Sequence, residues 1–392
     1  MIAQEQITQE QLKTIPLLDF VNTFPDWKAQ LKEPPFHLSI REKDEYVLLK
    51  YNQFESDMNY LISQLSRGCV LRQNPNGSCS YVCRPFDKFF NYGEPLAADI
   101  DWNTARVTEK VDGSLMKLWY DNGSWHLSTN GIIDAFEAPA GEKEVSFGDV
   151  FVRALGTDIQ TLGSTLDKTR TYMFELTSPE TQVVISYPDG VYYLASRSTE
   201  TGEEYFDRPQ FVPQAKIKYP QLYYINNLDD VISAAQLMSK DEEGFVVNDA
   251  AGKRIKVKSP EYLIAAHMQM NGQITVKRIF KMIRNEQLDD FLAYAPEQKE
   301  KADKVLDAIN VFCENAENEW KEMNKKEFAS QKEFAEEAKR SQLRSFLFAK
   351  RTNPETTAAE WLMKISVKSA LGLLVFGDSD NDRAAAGVEN AN

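Results

Sequence analysis

Lys110-Val111-Asp112-Gly113-Ser114-Leu115 places a lysine one spacer ahead of an Asp-Gly turn, between apolar runs of strand character. Aspartate and glycine suit a tight turn, and glycine admits a close approach to a ligand. A lysine in such a turn can act as a nucleophile only after shedding its proton. At the reference pKa of about 10.4, roughly one lysine in 2,500 is neutral at pH 7. Neighbouring cations and partial burial raise that fraction, and candidates to supply them lie further along the chain.

Lys256 and Lys258 alternate along a strand-like run and share one face. Beside Lys110 they would ease loss of its proton and neutralise charge on a phosphate under attack. Such chemistry also calls for carboxylates and a divalent metal. Glu175 and Glu243 each lie in a short apolar segment, Met173-Phe174-Glu175-Leu176 and Glu243-Gly244-Phe245-Val246-Val247. Taken alone, either would be a solvated surface acid. Arg67-Gly68 ends an apolar-periodic segment and can hold a phosphate. Lys88-Phe89-Phe90-Asn91 sets a cation beside an aromatic face on which a purine can stack. The plain alternative is that Phe89 and Phe90 are core and Lys88 is a solvated flank.

At 392 residues, with 42% hydrophobic and 11% aromatic content, the chain has material for two domains with sizeable cores. No continuous apolar stretch is long enough to span a bilayer, and Met1 to Glu10 lack an apolar signal-peptide core. The expected setting is the cytoplasm, away from membranes. A net charge of −14 argues against a nonspecific nucleic-acid coat protein, while leaving room for a local cationic groove. Cys69, Cys79, Cys83 and Cys313 read as reduced structural thiols, and His37, His126 and His267 are isolated in sequence.

Residues 6 to 32 read as one or two short helices. From about 44 to 260, apolar runs separated by turn residues predict largely antiparallel sheet. Asn76-Gly77, Asn122-Gly123, Pro188-Asp189-Gly190 and Ala250-Ala251-Gly252 are the expected hairpin turns. One inserted helix is expected at 147–165. Beyond about 265 the composition becomes helical. Val305, Ile309, Phe312 and Trp320 fall on one face, a second run covers Lys326–Ala349, and a last apolar helix spans Trp361 to Phe376. In the tail, Asp378, Asp380, Asp382 and Glu389 mimic a calcium loop, but Arg383 stands where the sharp turn needs glycine.

These motifs, in this order, resemble the covalent nucleotidyltransferases, and most closely the ATP-dependent RNA ligase 1 family of T-even phages. Lys110–Leu115 is similar to that family's nucleophile motif, and Ser128-Thr129-Asn130-Gly131 lies where the next motif is expected. Phe174-Glu175, Glu243-Gly244-Phe245-Val246, Lys256-Val257-Lys258-Ser259 and Tyr262 follow in family order. Upstream, Tyr51-Asn52, Arg67-Gly68 and Arg84–Asn91 resemble family blocks, and Asp289-Asp290 resembles an acidic pair linked to metal. The departure is Asn130, where members can carry lysine; a phosphate contact is then missing or supplied by another residue such as Lys117.

The resemblance implies an α+β fold. An antiparallel-sheet nucleotidyltransferase (adenylyltransferase) domain over 1–265 would precede an all-α C-terminal domain over 266–376 and a polar tail over 377–392. It implies ATP and Mg²⁺, with Mn²⁺ as an alternative. Lys110, Glu243, Lys256 and Lys258 would be catalytic. Tyr51, Arg67, Lys88, Phe90 and Glu175 would bind ATP together with the two lysines of Lys256-Val257-Lys258. Glu175, Glu243 and Asp289 would serve the metal, and Tyr262 the step involving RNA. The implied substrate is single-stranded or broken-loop RNA, with tRNA as one candidate, handled by a monomer working with an RNA end-healing kinase or phosphatase. Competing readings are a DNA ligase, an mRNA guanylyltransferase, or a non-catalytic RNA-binding protein on this fold.

Overall fold

Short apolar runs separated by turn residues build three sheets among the described residues of the first part of the chain. The computed structural model describes residues 8–53, 55–140, 145–182, 184–263, 275–284, 288, 291–292, 298–326, 328 and 330–376. Asp289, Asp290 and the calcium-like tail lie outside them. The chain divides into two units, Met1–Ala266 and His267–Asn392.

In the first unit, strands β1 (Ser39–Lys43), β2 (Tyr46–Lys50), β3 (Arg67–Gln73) and β4 (Cys79–Cys83) form an antiparallel sheet in sequence order. Then come β5 (Phe90–Asn91), β6 (Arg106–Glu109), β7 (Ser114–Asp121), β8 (Ser124–Ser128), β9 (Arg170–Thr177) and β10 (Gly190–Ser198). The last are β11 (Glu204–Tyr205), β12 (Ile217–Lys218), β13 (Leu222–Tyr223), β14 (Gly244–Asn248) and β15 (Arg254–Lys258). The second sheet runs β11-β10-β9-β7-β8, with β12 added parallel to β10; the third runs β13-β6-β14-β15-β5. Lys110 to Gly113 is the link by which the chain leaves β6 in the third sheet and enters β7 in the second.

The helix Phe147–Leu155 packs Val150, Phe151 and Leu155 against Met116, Leu118, Phe174 and Val191 of the second sheet. It is a separate element from Ile159–Gly163, so the single helix expected over 147–165 is two, divided at Gly156 with φ +82°. Likewise three helices, Gln9–Thr14, Leu17–Thr23 and Trp27–Lys32, stand where one or two were expected. Asn122-Gly123, with φ of 46° and 84°, closes the β7–β8 hairpin. Asn76-Gly77 lies between β3 and β4, and Ala250-Ala251-Gly252 between β14 and β15. Pro188-Asp189-Gly190 closes no hairpin among the described residues. β10 pairs instead with β9, and the amides of Val184 and Ile185 go to the Asp112 side chain.

The second unit is helical among its described residues. The helix Lys299–Asn324 buries Ala302, Val305, Ala308, Ile309, Phe312 and Ala316. Trp320 is only half-buried, and Met323 takes the last inward position. The run Lys326–Ala349 is broken into Gln331–Ala338 and Arg344–Thr352, with the Ser341 hydroxyl accepting the Leu343 amide at 2.8 Å between them. The expected last helix is likewise two, Ala358–Lys364 and Val367–Leu373. No helix of the described residues is long and apolar enough to cross a membrane.

Candidate active site

Backbone pairing fixes where Lys110 stands. Its amide donates to the Gly244 carbonyl at 2.8 Å, extending the β6–β14 ladder by one residue. On the other side of β14, Gly244 pairs with Lys258. Gly244 has φ +136°, and a Cβ there would lie 2.3 Å from the Val257 carbonyl oxygen, so only glycine lets the chain enter β14 this way. Glu243, one residue earlier, is thereby set between two lysines. Lys110 Nζ donates to Glu243 Oε2 at 2.7 Å, and Lys258 Nζ lies 2.9 Å from Oε1.

Glu243 is 3% exposed, and burial alone would push its carboxyl upward. The two ammonium groups outweigh burial and hold it below the usual carboxylate range. The sequence set Lys258 directly against Lys110; the structure interposes a shared carboxylate.

Glu175 presents the opposite case. Gly113 lies against its strand: a Cβ there would stand 2.5 Å from the Leu176 carbonyl oxygen and 3.0 Å from Glu175 Cγ. The glycine of the Lys110 loop is thus needed for close packing on β9. Burial pushes the Glu175 carboxyl up to about 8; Lys110 and Arg67 pull it down, while Glu243 and Asp112 push it further up. This is a carboxyl short of a cation.

Asp112 anchors the loop. Its Oδ2 accepts from the amides of Val184 and Ile185 at 2.9 and 2.8 Å, and its Oδ1 accepts from the Tyr262 hydroxyl at 3.2 Å. Asp112 thus adds an anchoring role to the turn-forming one expected of it. Tyr262 is 2% exposed, with Lys258 Nζ 5.5 Å from its ring centroid. Through its bond to Asp112 it braces the Lys110 loop.

A second cluster surrounds the ring of Phe89. The guanidinium of Arg67 lies 5.0 Å from its centroid, Lys256 Nζ 5.4 Å and the Arg254 guanidinium 5.5 Å. Arg254 precedes Lys256 by two residues and so shares its face; it is held by Glu204 in an ion pair of 2.7 Å. Phe90 and Tyr51 are buried, and Lys88 Nζ lies 5.6 and 5.2 Å from their ring centroids. The more accessible ring of the Lys-Phe-Phe-Asn block is therefore the half-buried Phe89 rather than Phe90, the ring expected to bind ATP. Arg67 Nη1 is buried without a hydrogen-bond partner among the described residues, and an oxygen-rich ligand would satisfy it. Lys117 is fully buried, donates to the Gly68 carbonyl at 2.6 Å, and has its pKa brought down to about 8 by burial. It is therefore not presented to an outer phosphate.

Among the described residues no group of three or more His, Cys, Asp or Glu could hold a metal. Mg²⁺ keeps several waters and is commonly bound through one or two carboxylates plus substrate phosphates. Glu175, short of a cation, suits direct contact. Glu243, with both oxygens on lysines, suits contact through water.

The ordered lysines, acids and glycines agree with a match to known sequences: a family model described as RNA ligase covers residues 65–262. The chain belongs to the RNA ligase family. Lys110, Glu243 and Lys258 all lie within the match. A "Putative bifunctional polynucleotide kinase/RNA ligase" of Autographa californica nuclear polyhedrosis virus is 32% identical over 299 residues, covering 71% of this chain and 42% of the viral protein. An RNA ligase of Rhodothermus phage RM378 is 25% identical over 299 residues, covering 59% of this chain and 66% of the phage protein. The chain thus spans about half the length of these relatives. An archaeal ATP-dependent RNA ligase structure aligns with 84% of this chain and 76% of its own at 12% identity and a TM-score of 0.42, a likeness too distant to speak to chemistry.

Proposed function

We propose that the protein is an ATP-dependent RNA ligase that joins RNA 5′-phosphate and 3′-hydroxyl ends, with its nucleotidyltransferase chemistry in residues 1–265. The observation that carries this reading is the Glu243 carboxylate shared by Lys110 and Lys258 at 2.7 and 2.9 Å, in a chain of the RNA ligase family. Lys110 Nζ attacks the α-phosphate of ATP, a P–N bond forms, and pyrophosphate leaves. Glu243 Oε2 is the acceptor within reach of the departing lysine proton. As a phosphate approaches, Lys258 offers it positive charge from the other side of the carboxylate, and Lys256 does so from above Phe89. AMP then passes to an RNA 5′-phosphate, and a 3′-hydroxyl displaces it.

Tyr51, Arg67, Lys88 and Phe89 form the nucleotide side. Phe90 supports it from the core, and the buried Arg67 Nη1 is the donor that ATP would satisfy. Mg²⁺ or Mn²⁺, when bound, neutralises phosphate charge; Glu175 would hold it, with Glu243 through water. An end-healing kinase or phosphatase is the proposed partner activity, because the viral relative's name joins a polynucleotide kinase to an RNA ligase.

The test is incubation with α-labelled ATP or GTP, then a sealing assay on 5′-phosphate, 3′-hydroxyl RNA, on matched single-stranded DNA, on a broken tRNA loop and on nicked duplex. Covalent label from ATP and sealing of single-stranded RNA are expected. Label from GTP alone, or preference for nicked duplex, would overturn the reading.

A further inference from the structure

The edge of the molecule beside the Lys110 loop carries a feature that the chemistry above does not use. In the second sheet Leu115 of β7 pairs with Glu175 of β9, Glu175 with Tyr192 of β10, and Tyr192 with Lys218 of β12. Residues opposite each other on paired strands share a face. This row therefore runs from Glu175, within the candidate site, out to an exposed lysine at the sheet edge. Lys218 Nζ lies 5.3 Å from the Tyr192 ring centroid, which holds the ammonium at the end of the row.

From β12 the chain crosses directly to β13, the edge strand of the sheet that carries Lys110. The Glu109 amide donates to the Gln221 carbonyl at 2.8 Å, tying this crossover to the residue before Lys110. Alternation along the crossover turns Ile217 and Tyr223 inward, the latter 4.9 Å from Phe245, and leaves Lys216, Lys218, Leu222 and Tyr224 exposed. Tyr224 is 92% exposed, an unusual position for a large aromatic ring.

The charge of the crossover is equally distinct. The chain holds 59 acidic against 45 basic residues, yet Arg208 to Tyr224 contains Arg208, Lys216 and Lys218 and no acid. Cations followed by an exposed ring suit single-stranded nucleic acid, which takes cations on its backbone and a π-face against a base.

We infer that this crossover is a binding track for single-stranded RNA, with Lys218 engaging a backbone phosphate and Tyr224 stacking a base, and that it leads an RNA strand to the Lys110 loop. The inference rests on the proposed RNA-joining function but names residues outside the ATP site.

The experiment measures binding of a 5′-phosphorylated single-stranded oligoribonucleotide to the full chain by fluorescence anisotropy, without ATP, for wild type, Lys218→Ala, Lys218→Arg and Tyr224→Ala. Lysyl-AMP formation from ATP alone is measured on the same preparations. Each alanine variant is expected to weaken RNA binding about tenfold. Lys218→Ala should also lower the salt slope by about 0.7, and Lys218→Arg should restore binding. Lysyl-AMP formation should stay at the wild-type level throughout. Unchanged RNA affinity in both alanine variants would overturn the track, and unchanged affinity in Tyr224→Ala alone would overturn its stacking role. If wild type formed no lysyl-AMP while the variants still lost RNA binding, the track would stand and the ligase reading would fall.

Discussion

Two acids flank the same lysine and meet opposite fates. On the β14–β15 side, Glu243 is buried but has an ammonium on each oxygen, and it stays below the usual carboxylate range. On the β9 side, Glu175 has no ion pair among the described residues, and burial drives it up to about 8 despite the pull of Lys110 and Arg67. The contrast separates what the protein supplies from what it leaves to a ligand. Charge around Lys110 is built in on one side. On the other, a carboxyl waits for positive charge from outside.

The contrast can be broken most severely at Glu243. Glu243→Ala leaves Lys110 and Lys258 without their shared anion, and lysyl-AMP formation should fall by about 10²–10³-fold, as when a preorganised charge-stabilising group is removed. The fold should weaken by ~3 kcal/mol, the low end for a broken buried pair because Lys110 keeps partial access to solvent. Denaturant unfolding and label incorporation check the two effects separately; wild-type values for both would show that Glu243 does not organise the lysines.

A smaller loss is expected where an ion pair supports the site without joining it. Glu204→Gln leaves Arg254 unpaired among the rings of Phe86 and Phe89. Unfolding should become easier by ~2–3 kcal/mol, and KM for ATP should rise more than kcat falls, because Phe89 loses its backing. A change in kcat with KM unaltered would contradict this positioning role.

The smallest effect sharpens the Glu175 side. Its folded-state pKa lies above the ordinary value of 4.5, so the folded protein holds an extra proton between pH 4.5 and about 8. Stability therefore falls as pH rises through that window, and the cost is complete only above about 8. Glu175→Gln should leave the melting temperature near wild type at pH 5 and raise it by ~2–4 °C at pH 8.5. Mg²⁺ should close that gap by stabilising wild type more than the variant. Parallel melting curves across the whole pH range would sink the account of Glu175.

Much of this site was legible because strand geometry is local. Alternation alone put Lys256 and Lys258 on one face, and the Ala251-Gly252 turn sets the register that pairs Gly244 with Lys258. What the sequence concealed depends on partners distant along the chain. Asp112 takes the amides of Val184 and Ile185 from more than seventy residues away, which removed the expected hairpin at Pro188 and gave the loop its anchor. Phe89 and Phe90 are adjacent and alike in composition. Only the parallel pairing of β5 with β15 separates them, setting Phe90 beside Ile255 in the core and leaving Phe89 to the cations. The broken helix after Lys326 was hidden for the opposite reason: no glycine or proline marks the break, and the turn is local, with the Ser341 hydroxyl accepting the Leu343 amide.

The central claim is that Lys110 is the covalent nucleophile, held in place by Glu243. Peptide mass spectrometry of the protein after incubation with ATP and Mg²⁺ tests it most directly. The account predicts an adenylate on Lys110, absent in Lys110→Ala. An adenylate on another lysine, or one that persists in that variant, would contradict it.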